Sequence, residues 1–100
     1  MLVLAGTITL DPSKLAEAKQ AAAIMMAETH KEPGNRQYIF SGSFLDDGVV
    51  HIFEEWESQE ALDLHFKSPH MAEFQKKMGA FGIKEMSIEK YEVSSKGPLS

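Results

Sequence analysis

Turn-forming residues punctuate this chain at Asp11-Pro12, Glu32-Pro33-Gly34-Asn35, Asp46-Asp47-Gly48, Ser68-Pro69 and Gly79/Gly82. Their positions dictate what can form between them. Leu2 to Leu10 is apolar or β-branched and reads as a strand. Asp11 is a good N-cap and Pro12 loses no needed N–H at a first helical position, so a helix starts there. Leu15, Ala18, Ala22, Met25 and Met26 recur at helical spacing, and the helix must stop before Pro33. Tyr38 to Phe44 is a second strand, and Asp46-Asp47-Gly48 reverses the chain into a third running from Val49 to about Glu57. Ser58 caps a helix carrying Ala61, Leu62, His65 and Phe66. Ser68-Pro69 breaks it and starts another with Met71, Phe74 and Met78. A last strand covers roughly Lys84 to Val93. The order is β-α-β-β-α-β with the second helix in two pieces, which predicts an α+β, ferredoxin-like antiparallel sheet with helices on one face. Residues 1–93 are expected to form one domain, and the polar stretch 94–100 a flexible tail.

A sheet covered on one side should carry a polar second face in a monomer. Here Tyr38, Phe40 and Phe44 share one face of the second strand and Ile39, Ser41 and Ser43 the other. On the third strand Val50, Ile52, Glu54 and Trp56 oppose Val49, His51, Phe53, Glu55 and Glu57. Large apolar groups on both faces predict a homodimer whose sheets pack face to face. The alternative is that loops or the C-terminal tail cover them.

Composition removes several function classes. Ten basic against fifteen acidic residues give a net charge of −5, the wrong sign for a phosphate-backbone binder, so no nucleic-acid partner is expected. Without cysteine there is no disulfide, thiolate nucleophile or Cys-ligated metal. No apolar run approaches the ~20 residues of a membrane span, so no membrane partner is expected. The N-terminal stretch has neither a basic region nor a cleavage site, and the expected location is cytoplasmic.

Chemistry concentrates between Phe53 and Met71. Trp56 ends a strand, His65 lies on the next helix and His70 begins the one after, so an imidazole and an indole could line one pocket. Histidine is the usual acid–base group near neutral pH. The plainer readings are a core tryptophan, a His65 bonded to a carbonyl, and a capping His70. His51, His65, His70 and Glu54 are residue types that ligate metals, but His65 and His70 are five apart with Pro69 between them, and no metal or other cofactor is expected. Glu54, Glu55 and Glu57 alternate across a strand and read as a solvated edge.

The run Glu54-x-Trp56-x-Ser58-x-x-Ala61-Leu62-x-x-His65-x-x-Ser68-Pro69-His70-Met71 resembles the hallmark of the antibiotic biosynthesis monooxygenase family, most closely its small quinol-monooxygenase-like members. Glu32-Pro33-Gly34-Asn35 followed by Tyr38 matches the family's turn and tyrosine strand. The resemblance implies a dimeric α/β barrel with a pocket in each subunit, and cofactor-independent oxidation of a small phenolic or quinol-type aromatic by molecular oxygen. It makes His65 the base or proton relay, Trp56 a pocket wall and N–H donor, and Tyr38 a hydrogen-bond partner. Phe40, Phe66, His70, Met71, Phe74 and Met78 would bind substrate. Haem-degrading relatives use an Asn and a His where this chain has Gly6 and Gln75, which argues against that activity. The competing expectations are a non-catalytic small-molecule-binding or stress-response module, and an isomerase of a small polar metabolite.

Overall fold

The computed structural model describes residues 1–100. Strand β1 (Leu2–Leu10) leads through a short 3-10 turn (Pro12–Lys14) into helix α1 (Leu15–Thr29). Strands β2 (Asn35–Gly42) and β3 (Val49–Trp56), helices α2 (Gln59–Phe66) and α3 (Pro69–Met78), and strand β4 (Ile83–Glu92) follow. All pairings are antiparallel in the order β2-β3-β1-β4, the ferredoxin-like arrangement read from the sequence.

Local chemistry sets the boundaries. The Asp11 carboxylate accepts from the Ser13 amide, which tightens the entry into a 3-10 turn, so α1 begins at Leu15 rather than Pro12. Ser58 and Ser68 each cap the helix that follows, their hydroxyls accepting from Ala61 and Met71 amides. Strand β2 ends at Gly42, before Phe44, which lies fully exposed in the β2–β3 loop.

Register sorts the two faces. Leu2, Leu4, Gly6 and Ile8 on β1 pair with Trp56, Glu54, Ile52 and Val50 on β3, and Tyr38 and Phe40 on β2 extend those rows. This is the face beneath the helices. One core cluster joins Leu2, Met25, Tyr38, Trp56 and Leu62, and a second joins Leu10, Ala18, Ala21 and Phe81. At Gly6 a side chain would run into the backbone of Ser87 and Ile88 on β4, so nothing larger than hydrogen fits there. The opposite face carries Val3, Ala5, Ile39, Phe53 and Tyr91 in adjoining register positions, with Ile39, Phe53 and Tyr91 partly exposed. No helix is long and apolar enough to cross a membrane.

Glu54 and Glu55 correct the solvated-edge reading. They point to opposite faces yet are 7% and 3% exposed, and only Glu57 of the three is open to solvent. Glu55, on the open face, is held by Lys96 from the C-terminal segment, Nζ to Oε2 2.9 Å.

Candidate active site

The turn Glu32-Pro33-Gly34-Asn35 between α1 and β2 does more than reverse the chain. Gly34 takes φ +86°, and a Cβ there would lie 2.6 Å from the Ala61 Cβ on α2, so only glycine lets the turn nestle against that helix. The seating carries Glu32 into the space where α2 and α3 meet. Gly34→Ala should therefore cost about 1–3 kcal/mol of stability through backbone strain and the clash, read from denaturant unfolding.

Glu32 holds two histidines that the sequence left apart. His65 Nδ1 lies 2.8 Å from Glu32 Oε2 in hydrogen-bond geometry. His70 Nε2 lies 2.8 Å from Oε1, but outside hydrogen-bond geometry, and the nitrogen has no other partner. The break at Ser68-Pro69 makes this possible: α2 ends at Phe66 and α3 begins afresh at Pro69, so the two histidines do not sit on one continuous helix. Because a carboxylate can only accept, His65 carries its proton on Nδ1 toward Glu32, leaving Nε2 as the free acceptor. Burial pulls the His65 pKa down, opposed by the hydrogen bond and charge of Glu32, so the ring is held neutral and ready to take a proton.

An aromatic box surrounds that imidazole. His65 is 1% exposed, with the Trp56 ring 4.8 Å and the Tyr38 ring 5.2 Å away between centroids. Trp56 is 0% and Tyr38 2% exposed, so the three side chains named from the sequence do meet, in packed interior. The Trp56 indole N–H donates to Glu54 Oε1 at 3.0 Å. Burial pushes the Glu54 carboxyl up to about 7, against the lowering effect of the indole hydrogen bond. Burial likewise drives the Tyr38 hydroxyl far above its ordinary range, with the charges of Glu54 and Glu32 adding to it, so it stays protonated.

A separate apolar chamber of about 150 Å³ lies beside this box, between the sheet and helices α1 and α3. Its lining includes Ile8, Leu10, Met26, Phe40, Val50, Phe74, Met78 and Phe81. Phe40 connects the two regions, its ring 5.2 Å from Tyr38 on one side and 5.7 Å from Phe74 on the other. Of the side chains expected to bind substrate, Phe40, Phe74 and Met78 line the chamber. Met71 packs on the Trp56 cluster, His70 sits at Glu32, and Phe66 is half exposed next to His65. His65, Trp56 and Tyr38 are outside the chamber's lining.

The sequence reading of the site missed Glu32 and took up Glu54 only as a metal ligand that it set aside. Glu32 was hidden in a turn signal that Pro33 and Gly34 already explained. Glu54 was visible in principle, since alternation puts it on the same face as Ile52 and Trp56. Glu32, His65 and His70 bring their ligand atoms within 4.8 Å of one another, an N, N, O set of the kind that could also hold a divalent cation. His51, by contrast, is exposed on strand β3, far in register from that set.

The site thus consists of an apolar chamber beneath two helices of a ferredoxin-like sheet, with a buried carboxylate–imidazole pair behind an aromatic wall beside it. The sequence profile of the antibiotic biosynthesis monooxygenase family matches residues 1–77, and the chain belongs to that family. An uncharacterized protein of Synechocystis sp. is 30% identical over 93 residues, covering 93% of this chain, which spans only 63% of that relative's length. A provisionally assigned antibiotic biosynthesis monooxygenase from Deinococcus radiodurans superposes with a TM-score of 0.90 at 20% identity, over 100% of this chain and 99% of that one. A conserved protein of unknown function from Bacteroides thetaiotaomicron superposes at 0.83 with 27% identity, over 92% and 96%.

Proposed function

We propose that the protein is a cofactor-independent monooxygenase that oxidises a small phenolic or quinol-type aromatic with molecular oxygen. The observation that carries this reading is the chamber: its volume of about 150 Å³ and apolar wall suit one benzene-sized ring. In the reaction a hydroquinone ring gains one oxygen atom while the other leaves as water. The substrate supplies all four electrons and ends as the hydroxyquinone. The protein's part is to exclude solvent and to manage protons. Glu32 orients His65, whose free Nε2 receives the proton, with Tyr38 and the Trp56–Glu54 pair as neighbouring donors. Phe40 is the partition that must turn for the imidazole to reach the ring.

The family assignment and the exposed apolar residues Ile39, Phe53 and Tyr91 support a homodimer through the open sheet face. A net charge of −5 fits a protein with no nucleic-acid partner. A second reading, ligand binding without turnover, is favoured by the near-complete burial of His65 away from the chamber.

Oxygen uptake with hydroquinone, methylhydroquinone and catechol decides between them. Turnover above the buffer rate, abolished under argon and yielding the hydroxyquinone, is the expected result. Ligand-induced thermal stabilisation without oxygen uptake would establish the binding module instead. Glu32→Gln should lower kcat about 10- to 100-fold with KM little changed, because the amide can offer His65 an N–H and no longer fixes its tautomer.

A further inference from the structure

The chamber has one charged lining residue. Among walls formed by Ile8, Phe40, Val50, Phe74 and Phe81, the side chain of Lys19 on α1 is the single cation and no carboxylate is present. Lys19 is also exposed, so it lies where the chamber meets solvent. Its charge is not neutralised locally. On a helix its side-chain neighbours are three and four residues away, and these are Leu15, Ala16, Ala22 and Ala23, all apolar. It takes part in none of the ion pairs the chain makes.

We propose that the chamber takes a monocyclic aromatic acid, its ring in the apolar interior and its carboxylate at the rim against Lys19. The inference rests on the chamber being the substrate site and narrows what that site accepts. A neutral hydrocarbon ligand would make no use of an unpaired ammonium at a solvent-facing edge of the chamber. An anionic ring compound gains a charge-assisted contact while its carboxylate stays partly hydrated, so little desolvation opposes it. The chain's overall negative charge makes this local cation more selective, since the remaining surface repels anions. The size of the chamber matches a single ring.

The test compares two fluorinated probes of one ring by 19F NMR titration of the intact protein: 4-fluorobenzoate and 4-fluorobenzyl alcohol. They share the ring and differ in charge. Lys19→Met keeps the aliphatic stem and removes the cation, so it should weaken 4-fluorobenzoate about fivefold or more and leave the alcohol within about twofold. Raising the salt concentration should weaken the benzoate alone. Ala22→Phe, which fills the chamber from α1, should remove binding of both, with circular dichroism reporting that the variant is folded. If the alcohol and the benzoate bind equally well and Lys19→Met changes neither, the charge preference is overturned while the chamber stands. If the unaltered protein binds neither probe, the chamber is not a ligand site and both readings fail.

Discussion

Trp56→Ala should lower the free energy of unfolding by about 3–5 kcal/mol, measured by urea denaturation monitored by circular dichroism. The indole is wholly buried and belongs to the core cluster with Leu2, Met25, Tyr38 and Leu62. Truncation removes its ring from both His65 and Tyr38, and the helices above are tied down on several sides, so collapse into the void is restricted. A second loss adds to the first. The indole N–H is the donor that Glu54 uses, and without it a buried carboxyl oxygen has no partner. Trp56→Phe separates the two effects. It keeps an aromatic ring and most of the volume, but removes the donor, so it should cost about 1–3 kcal/mol and raise the Glu54 pKa further, because that hydrogen bond opposes the upward push of burial. A Trp56→Ala protein as stable as the parent would mean the box is not the packed interior described here.

The element order was legible because every boundary has a local chemical cause that tertiary packing had no reason to override: Pro12, Pro33-Gly34, Ser58 and Ser68-Pro69 each act on the backbone within a turn of themselves. Trp56, His65 and Tyr38 were legible as a group because strand parity and helical spacing both aim them at the same layer. Glu32 was not. A residue in a turn gives no period by which to infer direction, and its role exists only because α2 and α3, distant in sequence, approach that turn. His65 and His70 looked incompatible as partners on a continuous helix, and the break that seemed to separate them is what lets one carboxylate reach both. Glu54 was obscured by its neighbours. Three carboxylates within four positions suggest solvent, yet alternation sends Glu54 under the helices and Glu55 to the open face, where each acquires its own partner. The chamber was least legible, since apolar residues that line a void and apolar residues that fill a core have the same spacing. All three pack partly buried against the core clusters, and only Phe74 and Met78 of them also line the chamber.

The buried carboxyl of Glu54 should make the protein less stable as pH rises through neutrality, and Glu54→Gln should remove that dependence. In the unfolded chain the group ionises near its ordinary value of 4.5, whereas in the fold its pKa is pushed up to about 7. Between those two values the folded state holds a proton that the unfolded state has lost, so stability falls with increasing pH by up to about 1.4 kcal/mol per unit. The stabilisation is complete below pH 4.5 and is lost as pH passes about 7, a total of about 3 kcal/mol. His65 acts in the opposite sense. Burial holds its folded-state pKa below the ordinary 6.5, so its contribution grows as pH rises toward that value and is then constant. The two dependences partly cancel in the parent protein, which makes the difference between parent and variant the informative quantity. Glutamine preserves an oxygen to accept the Trp56 N–H and cannot ionise. Urea unfolding of both proteins from pH 4.5 to 8 should therefore show the variant gaining on the parent by about 3 kcal/mol across the range, with most of the gain below about pH 7. Parallel curves would place the Glu54 ionisation at its ordinary value, and with it would go the argument that this carboxyl can exchange a proton with the site near neutral pH.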